Sequence, residues 1–236
     1  MSDKAVHMLV FSPHPIDTEW GIGGTVARMA KEGKEVVYVI ATNGDKGHMD
    51  PDILPEKLAE IREKEQLAAA KILGVKEVVF LRHPDLGLEY TLDFRTELLR
   101  LIFKYRPHTV ATCDPYQHVR YMTNRDHRIL GRIVLDAVWP TALAPNTYRD
   151  LLEEGYKTHL VQEILLWMTK EPNFYSDITD TFETKLAAFK CHPSQTGDPV
   201  LPEFADRIRE SAANSGKKLG CKYAEAFYRE EVLQRL

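Results

Sequence analysis

Near the start of the chain, Ser12-Pro13-His14-Pro15-Ile16-Asp17-Thr18-Glu19 brings one imidazole and two carboxylates together within a few residues. They follow the apolar, β-prone run Ala5-Val6-His7-Met8-Leu9-Val10-Phe11. Gly21, Gly23 and Gly24 come next and would let a helix pack closely behind that strand. The ligand-type side chains therefore belong at a strand end, where open α/β sheets bind ligands. Much farther along, Asp126-His127 opens the helical repeat Leu130, Val134, Leu135, Val138, preceded by Asp114-Pro115. If folding unites the two clusters, two imidazoles and a carboxylate supply three hard-to-borderline ligands. Such a set suits zinc with a fourth position left for water.

The elements that must position these groups alternate strand and helix over the first two-thirds of the chain, which predicts an α/β fold with a mostly parallel sheet. Strands are expected near 5–11, 35–42, 77–82 and 109–113. Helices are expected from about Glu19 to Glu32, Pro55 to Leu73 and Leu92 to Tyr105. Gly33 and Gly74 stand where helix C-caps belong, and Pro55 suits a first helical turn. Asn43-Gly44-Asp45-Lys46-Gly47, continuing through His48-Met49-Asp50-Pro51, reads as a loop bordering the same sheet edge as His14. Tyr116–Arg125 and Thr141–Tyr156 are irregular stretches able to shape a substrate site. The last third predicts a strand in His159–Met168, helices near Phe182–Lys190 and Pro202–Ser215, and a terminal strand at Tyr223–Tyr228. Some of these strands are expected to be antiparallel at an edge.

A chain of 236 residues with 44% apolar content and no linker reads as one domain, 1–236. A net charge of −4 without a basic run excludes the surface that nucleic acid needs. No window approaches ~18 uninterrupted apolar residues, and Met1-Ser2-Asp3-Lys4 leads into a core strand rather than a secretory segment. A soluble, cytoplasmic protein without membrane contact is expected. Cys113, Cys191 and Cys221 lack metal-site spacing and read as thiols, with Cys191 beside His192 near the site.

The chain resembles the LmbE/PIG-L family of zinc-dependent N-deacetylases, whose motifs read His-Pro-Asp-Asp-x-Glu and His-Pro-Asp-His. The likeness extends to Arg62-x-x-Glu65 running into Leu73-Gly74-Val75, to His83-Pro84-Asp85-x-Gly87-Leu88, and to His192-Pro193-Ser194-Gln195. It implies a Rossmann-like three-layer αβα sandwich that hydrolyses the N-acetyl group of an amino sugar or small glycoconjugate. It further implies zinc on His14, Asp17 and His127, a pocket arginine at Arg62, an oxyanion-stabilising or amine-protonating His192, and assembly as a trimer or hexamer. The chain departs from the family at two positions. Ile16 stands where the general base belongs, and Asn124 stands where the second motif begins with His. Asn124 can still donate a hydrogen bond to an oxyanion, and His118 could supply the lost imidazole.

For Asp17 and Glu19 a helix-start role competes with ligation and support of a ligand. Asp126, beside His127, reads equally as a helix-start acid or as a catalytic carboxylate that orients an imidazole or supports proton movement. Two other function classes compete: a noncatalytic carbohydrate binder on this scaffold, and a nucleotide-binding oxidoreductase suggested by the Gly21-x-Gly23-Gly24 glycines, which lack dinucleotide spacing.

Overall fold

A computed structural model describes residues 5–47, 52–116, 124–197 and 201–232. In chain order the elements are β1 (Met8–Ser12), α1 (Asp17–Gly21), α2 (Gly23–Lys31), β2 (Val36–Thr42), α3 (Pro55–Leu73), β3 (Glu77–His83), α4 (Leu92–Tyr105), β4 (Thr109–Cys113), α5 (Arg125–Val138), α6 (Arg149–Glu153), β5 (Glu163–Trp167), β6 (Phe174–Asp177), α7 (Phe182–Phe189), α8 (Pro193–Thr196), α9 (Pro202–Leu219) and β7 (Ala224–Glu231). The seven strands form a sheet in the order β3-β2-β1-β4-β5-β7-β6. β1 to β5 pair in parallel, and β7 runs antiparallel between β5 and β6.

β1, β2 and β4 are apolar on both faces because helices cover both. Leu9, Phe11, Val37, Val39 and Val110 point to the layer containing α4 and α5. Met8, Val10, Val36, Tyr38 and Ile40 point to the layer containing α2 and α3. The result is the three-layer α/β sandwich that the alternating pattern predicts. β1 is flanked by β2 and β4, so the crossovers leave it in opposite directions. Its C-terminal end is the crevice where such sheets hold ligands.

Four local features differ from the pattern reading. The helix expected from Glu19 to Glu32 is two helices, broken at Ile22 with φ −140° and ψ 2°. The break lets Gly21 lie against Trp167, where a Cβ would come within 2.4 Å of the ring. β6 escapes a pattern reading because it is a four-residue edge strand ordered by its antiparallel partner β7. β7 itself extends beyond the expected terminal strand to Glu231. Of the glycines that suggested a nucleotide cradle, Gly21 and Gly24 are packing glycines, since a Cβ at Gly24 would meet Ile178 at 2.7 Å.

A buried polar knot ties the last third to α2. Glu225 accepts hydrogen bonds from the backbone N–H of Gly24 and Thr25, from the Thr25 hydroxyl, and from Lys185 Nζ at 2.5 Å. The carboxylate thus meets the N-terminal turn of a helix, where its charge is favoured. This fixes α7 and β7 beneath α1, which carries Asp17.

Candidate metal centre

The turn after β1 is fastened before it presents any side chain. Ser12 Oγ donates to the His14 carbonyl at 3.0 Å, and the Thr42 N–H and hydroxyl both donate to the Pro13 carbonyl at 2.9 Å. The His14 N–H donates to Asp17 Oδ2 at 3.1 Å. That same oxygen lies 2.9 Å from His14 Nδ1 and 3.1 Å from Nε2 of His127, which reaches in from the first turn of α5. Imidazole rings at the two positions stand 5.3 Å apart between centroids. Around a tetrahedral ion with bonds near 2.0–2.1 Å, ligand atoms stand about 3.3 Å apart, so this N₂O set is spaced for one divalent metal. His14, Asp17 and His127, far apart in sequence, are brought together as the two clusters anticipated.

Behind the ligands is a second carboxylate layer. His14 Nε2 lies 3.1 Å from Asp85 Oδ1 and 3.4 Å from Asp126 Oδ2, both off the direction of an aligned N–H bond, so these contacts are charge pairs. Asp126 is itself held by the N–H groups of Leu86 at 2.7 Å and Leu88 at 3.3 Å. Of the two imidazoles, Asp126 faces that of His14. A side chain projecting from the first turn of α5 reaches across to the β3 turn rather than to its own neighbour. With Nε2 facing two acids, Nδ1 is the nitrogen left to face a metal. Asp85 went without a role in the sequence. Its signal was an acid just beyond a strand end on the same sheet edge as His14.

Burial alone would lower the His14 pKa, but the contacts with Asp126, Asp17 and Asp85 outweigh it and hold the value well above the ordinary range. Burial alone would raise that of Asp17, and His127 and His14 together hold it well below the ordinary carboxylate range. Cys113, which donates to the His127 carbonyl at 3.0 Å, has its thiol pushed up to about 12 by burial and then by Asp17. It is a neutral structural group rather than a thiolate ligand.

The remaining anticipated site residues fall elsewhere. Arg62 is 3% exposed and donates to the carbonyls of Gly44 at 2.7 Å and Pro15 at 2.9 Å, with Asp85 at 4.0 Å. Its fork braces the turns after β1 and β2, and the Gly44–Gly47 loop wraps it. His192 is fully buried, 3.2 Å from Glu19 Oε2 and 4.0 Å from Glu65 Oε2, so it has no surface with which to meet a substrate. It is a positioning residue between two carboxylates. Glu19 in turn accepts from Thr18 and Gln66. Asn124 caps α5 through Oδ1, accepting from the Asp126 N–H at 2.9 Å. His118 lies outside the described residues. Gln66, which also accepts from the Ile16 N–H at 3.0 Å, shares a face of α3 with Arg62 and Glu65; helical spacing from Arg62 was the signal for it.

Ile16 precedes α1 with φ 85° and ψ −29° and makes no side-chain cap. A β-branched residue in the left-handed region is strained, at about 1–2 kcal/mol. Its side chain packs with Trp20 against the cluster of Phe182, Leu186 and Phe189.

A family model described as GlcNAc-PI de-N-acetylase, PIG-L, matches residues 9–138. Diacetylchitobiose deacetylase of Thermococcus kodakarensis is 36% identical over 218 residues, covering 92% of this chain and 80% of that protein. A probable N-acetyl-alpha-D-glucosaminyl L-malate deacetylase 2 of Bacillus cereus is 30% identical, covering 90% and 94%. The solved N,N'-diacetylchitobiose deacetylase from Pyrococcus horikoshii superposes with a TM-score of 0.91 at 33% identity, covering 96% of this chain and 84% of that one.

The strain at position 16 predicts that Ile16→Gly will be more stable than Ile16→Ala by about 1 kcal/mol in urea unfolding, because both lose the packing and only glycine relieves the positive φ. The carboxylates around His14 favour its protonated form in the metal-free protein, and a metal requires it neutral. Divalent metal affinity is therefore expected to rise roughly tenfold per pH unit while one proton is released, measurable by calorimetry in buffers of different ionisation enthalpy. Asp85→Asn should weaken that affinity roughly 10- to 100-fold at fixed pH in a chelator competition, with the fold retained by circular dichroism.

Proposed function

The chain belongs to the PIG-L family of de-N-acetylases, and from that membership we propose that it is a zinc-dependent amidohydrolase releasing acetate from an N-acetylglucosamine-type sugar or glycoconjugate. The observation that carries this reading is the convergence of His14 Nδ1 and His127 Nε2 on one oxygen of Asp17 at the C-terminal edge of the sheet. Bound zinc would supply polarisation of the amide carbonyl and a lowered pKa for an attacking water.

The chain's own residues set how well that chemistry is served. With zinc bound, the single negative charge of Asp17 and two neutral imidazoles would leave one net positive charge on the ligand set, which favours an oxyanion forming on the substrate. Asp85 and Asp126 hold the His14 ring and, with Asp17, surround it with negative charge. Arg62 offsets part of that charge while keeping the Pro15 and Gly44 carbonyls fixed. The Glu19–His192–Glu65 group, with Ser194 donating to Glu65 at 2.6 Å, supports the turn from below through Gln66.

Position 16 limits the rate. An isoleucine accepts no proton, and a positioned general base contributes ~10²–10⁴ in rate. A second reading follows from the same residue together with Asn124, whose side-chain oxygen is committed to capping α5: a protein that holds metal and amino sugar with little turnover.

Ile16→Asp tests both readings. Aspartate tolerates positive φ better than isoleucine and returns a carboxylate to the position the family uses for its base. Acetate release from N-acetylglucosamine and diacetylchitobiose, measured at equal zinc occupancy, should rise by up to ~10²–10⁴ over the natural chain. Full activity in the natural chain with no gain on substitution would assign the base to another residue. Absence of acetate release from both chains, with sugar binding intact, would favour the binding protein.

A further inference from the structure

Beside α5 two cavities of 390 Å³ and 460 Å³ share Tyr116, Leu135, Ile164 and Glu230, making one groove along β5 and β7. Both volumes fall in the range of small-molecule sites, about 300–1,000 Å³. Asp114, which lines the groove, directly follows Cys113 at the C-terminal end of β4, and the Cys113 thiol donates to the carbonyl of His127 at 3.0 Å. β4 runs parallel to β1, so the groove reaches the same sheet edge as the His14 turn.

Its lining is both aromatic and acidic. Tyr116 is 72% exposed, and Tyr228 lines the same wall beside the aliphatic Leu135 and Ile164. Asp114, Glu171 and Glu230 line the first cavity, and Asp136, Glu230 and Glu231 the second, against Lys170 as the one basic residue among the described lining. The first three surround the Tyr228 phenol: Glu230 accepts from it at 3.3 Å, and Glu230, burial, Glu171 and Asp114 together raise its pKa. Aromatic faces receive the C–H faces of pyranose rings, and carboxylates accept their hydroxyl protons. Protonated amines are attracted by both, whereas phosphate or carboxylate groups are repelled by the acids.

Building on the deacetylase reading, we propose that this groove is a saccharide subsite holding further neutral or protonated amino-sugar units joined to the one at the metal, and that it selects against anionic aglycones. Tyr116 is its specificity-determining platform. An amino-sugar chain fits the charge of the groove, while a malate or phosphate aglycone would bring negative charge to a wall of carboxylates.

The test compares zinc-loaded full chains, natural, Tyr116→Ala and Tyr116→Phe, on N-acetylglucosamine, tri-N-acetylchitotriose and N-acetylglucosaminyl malate. Calorimetric binding of chitotriose is measured in parallel. The natural chain is expected to favour chitotriose over the monosaccharide in kcat/KM by at least roughly tenfold and to disfavour the malate conjugate. Tyr116→Ala should reduce that preference and weaken chitotriose binding by roughly tenfold, the scale of one aromatic contact, with Tyr116→Phe restoring both. Chitotriose binding that depends on Tyr116, with acetate released from no substrate, would uphold the saccharide groove while removing the deacetylase reading. Acetate release with the same substrate ratios in the natural chain and Tyr116→Ala would keep the deacetylase reading and overturn the groove. Sedimentation showing that Tyr116→Ala dissociates an oligomer of the natural chain would also overturn it, by making a second copy the occupant.

Discussion

One carboxylate oxygen organises this site. Asp17 Oδ2 meets the His14 backbone N–H, the His14 ring and the His127 ring, all within 3.1 Å. The first of these contacts folds the turn after β1, and the other two join β1 to α5 across the sheet edge. Loss of that oxygen would leave two buried imidazoles facing each other without the anion that holds them, and the turn would lose its internal acceptor. Turn formation and the meeting of the two imidazoles therefore draw on the same atom.

The charge around that atom is balanced in layers. Asp85 and Asp126 sit on the far side of the His14 ring, each secured by the segment between β3 and α4 or by the β2 loop: Asp126 by two N–H groups of the first, Asp85 by its own N–H donating to Asp45 of the second. Arg62 lies behind them, donating to carbonyls of two different turns. Buried charges of this kind persist only with partners at hand, because an unpaired buried ion costs several kcal/mol. The arrangement joins three connecting segments and the first turn of α5 by polar contacts where apolar packing alone would leave loops loosely placed.

Against this order Ile16 is a local conflict. The turn geometry demands a positive φ at the residue before Asp17, and the sequence supplies a β-branched side chain. The strain is held by the Ile16 N–H bond to Gln66, by the Trp20 N–H donating to the Ile16 carbonyl, and by the apolar contact with the cluster under α7 and α9. The backbone of a metal-edge turn is thus preserved although the side chain at its apex has no polar atom. The frame and the chemistry mounted on it are separable.

The sequence by itself determined the alternating α/β order and the parallel core strands, and it singled out His14, Asp17 and His127, which the fold brings together, because buried strands and ligand-rich strand ends are written in local pattern. It also exposed the departures at Ile16 and Asn124, which need only a motif to be seen. What tertiary structure decided was partnership. Asp126 serves His14 rather than adjacent His127, since α5 crosses the β3 turn at that point. Arg62 and His192 carry charge types suited to a pocket, yet both are enclosed: one by the loop after β2, the other between Glu19 and Glu65. β6 exists because β7 offers it a ladder, and the groove beside α5 exists because β5 and β7 extend past that helix. Burial and facing depend on which elements pack together across long stretches of chain, and no local spacing encodes that.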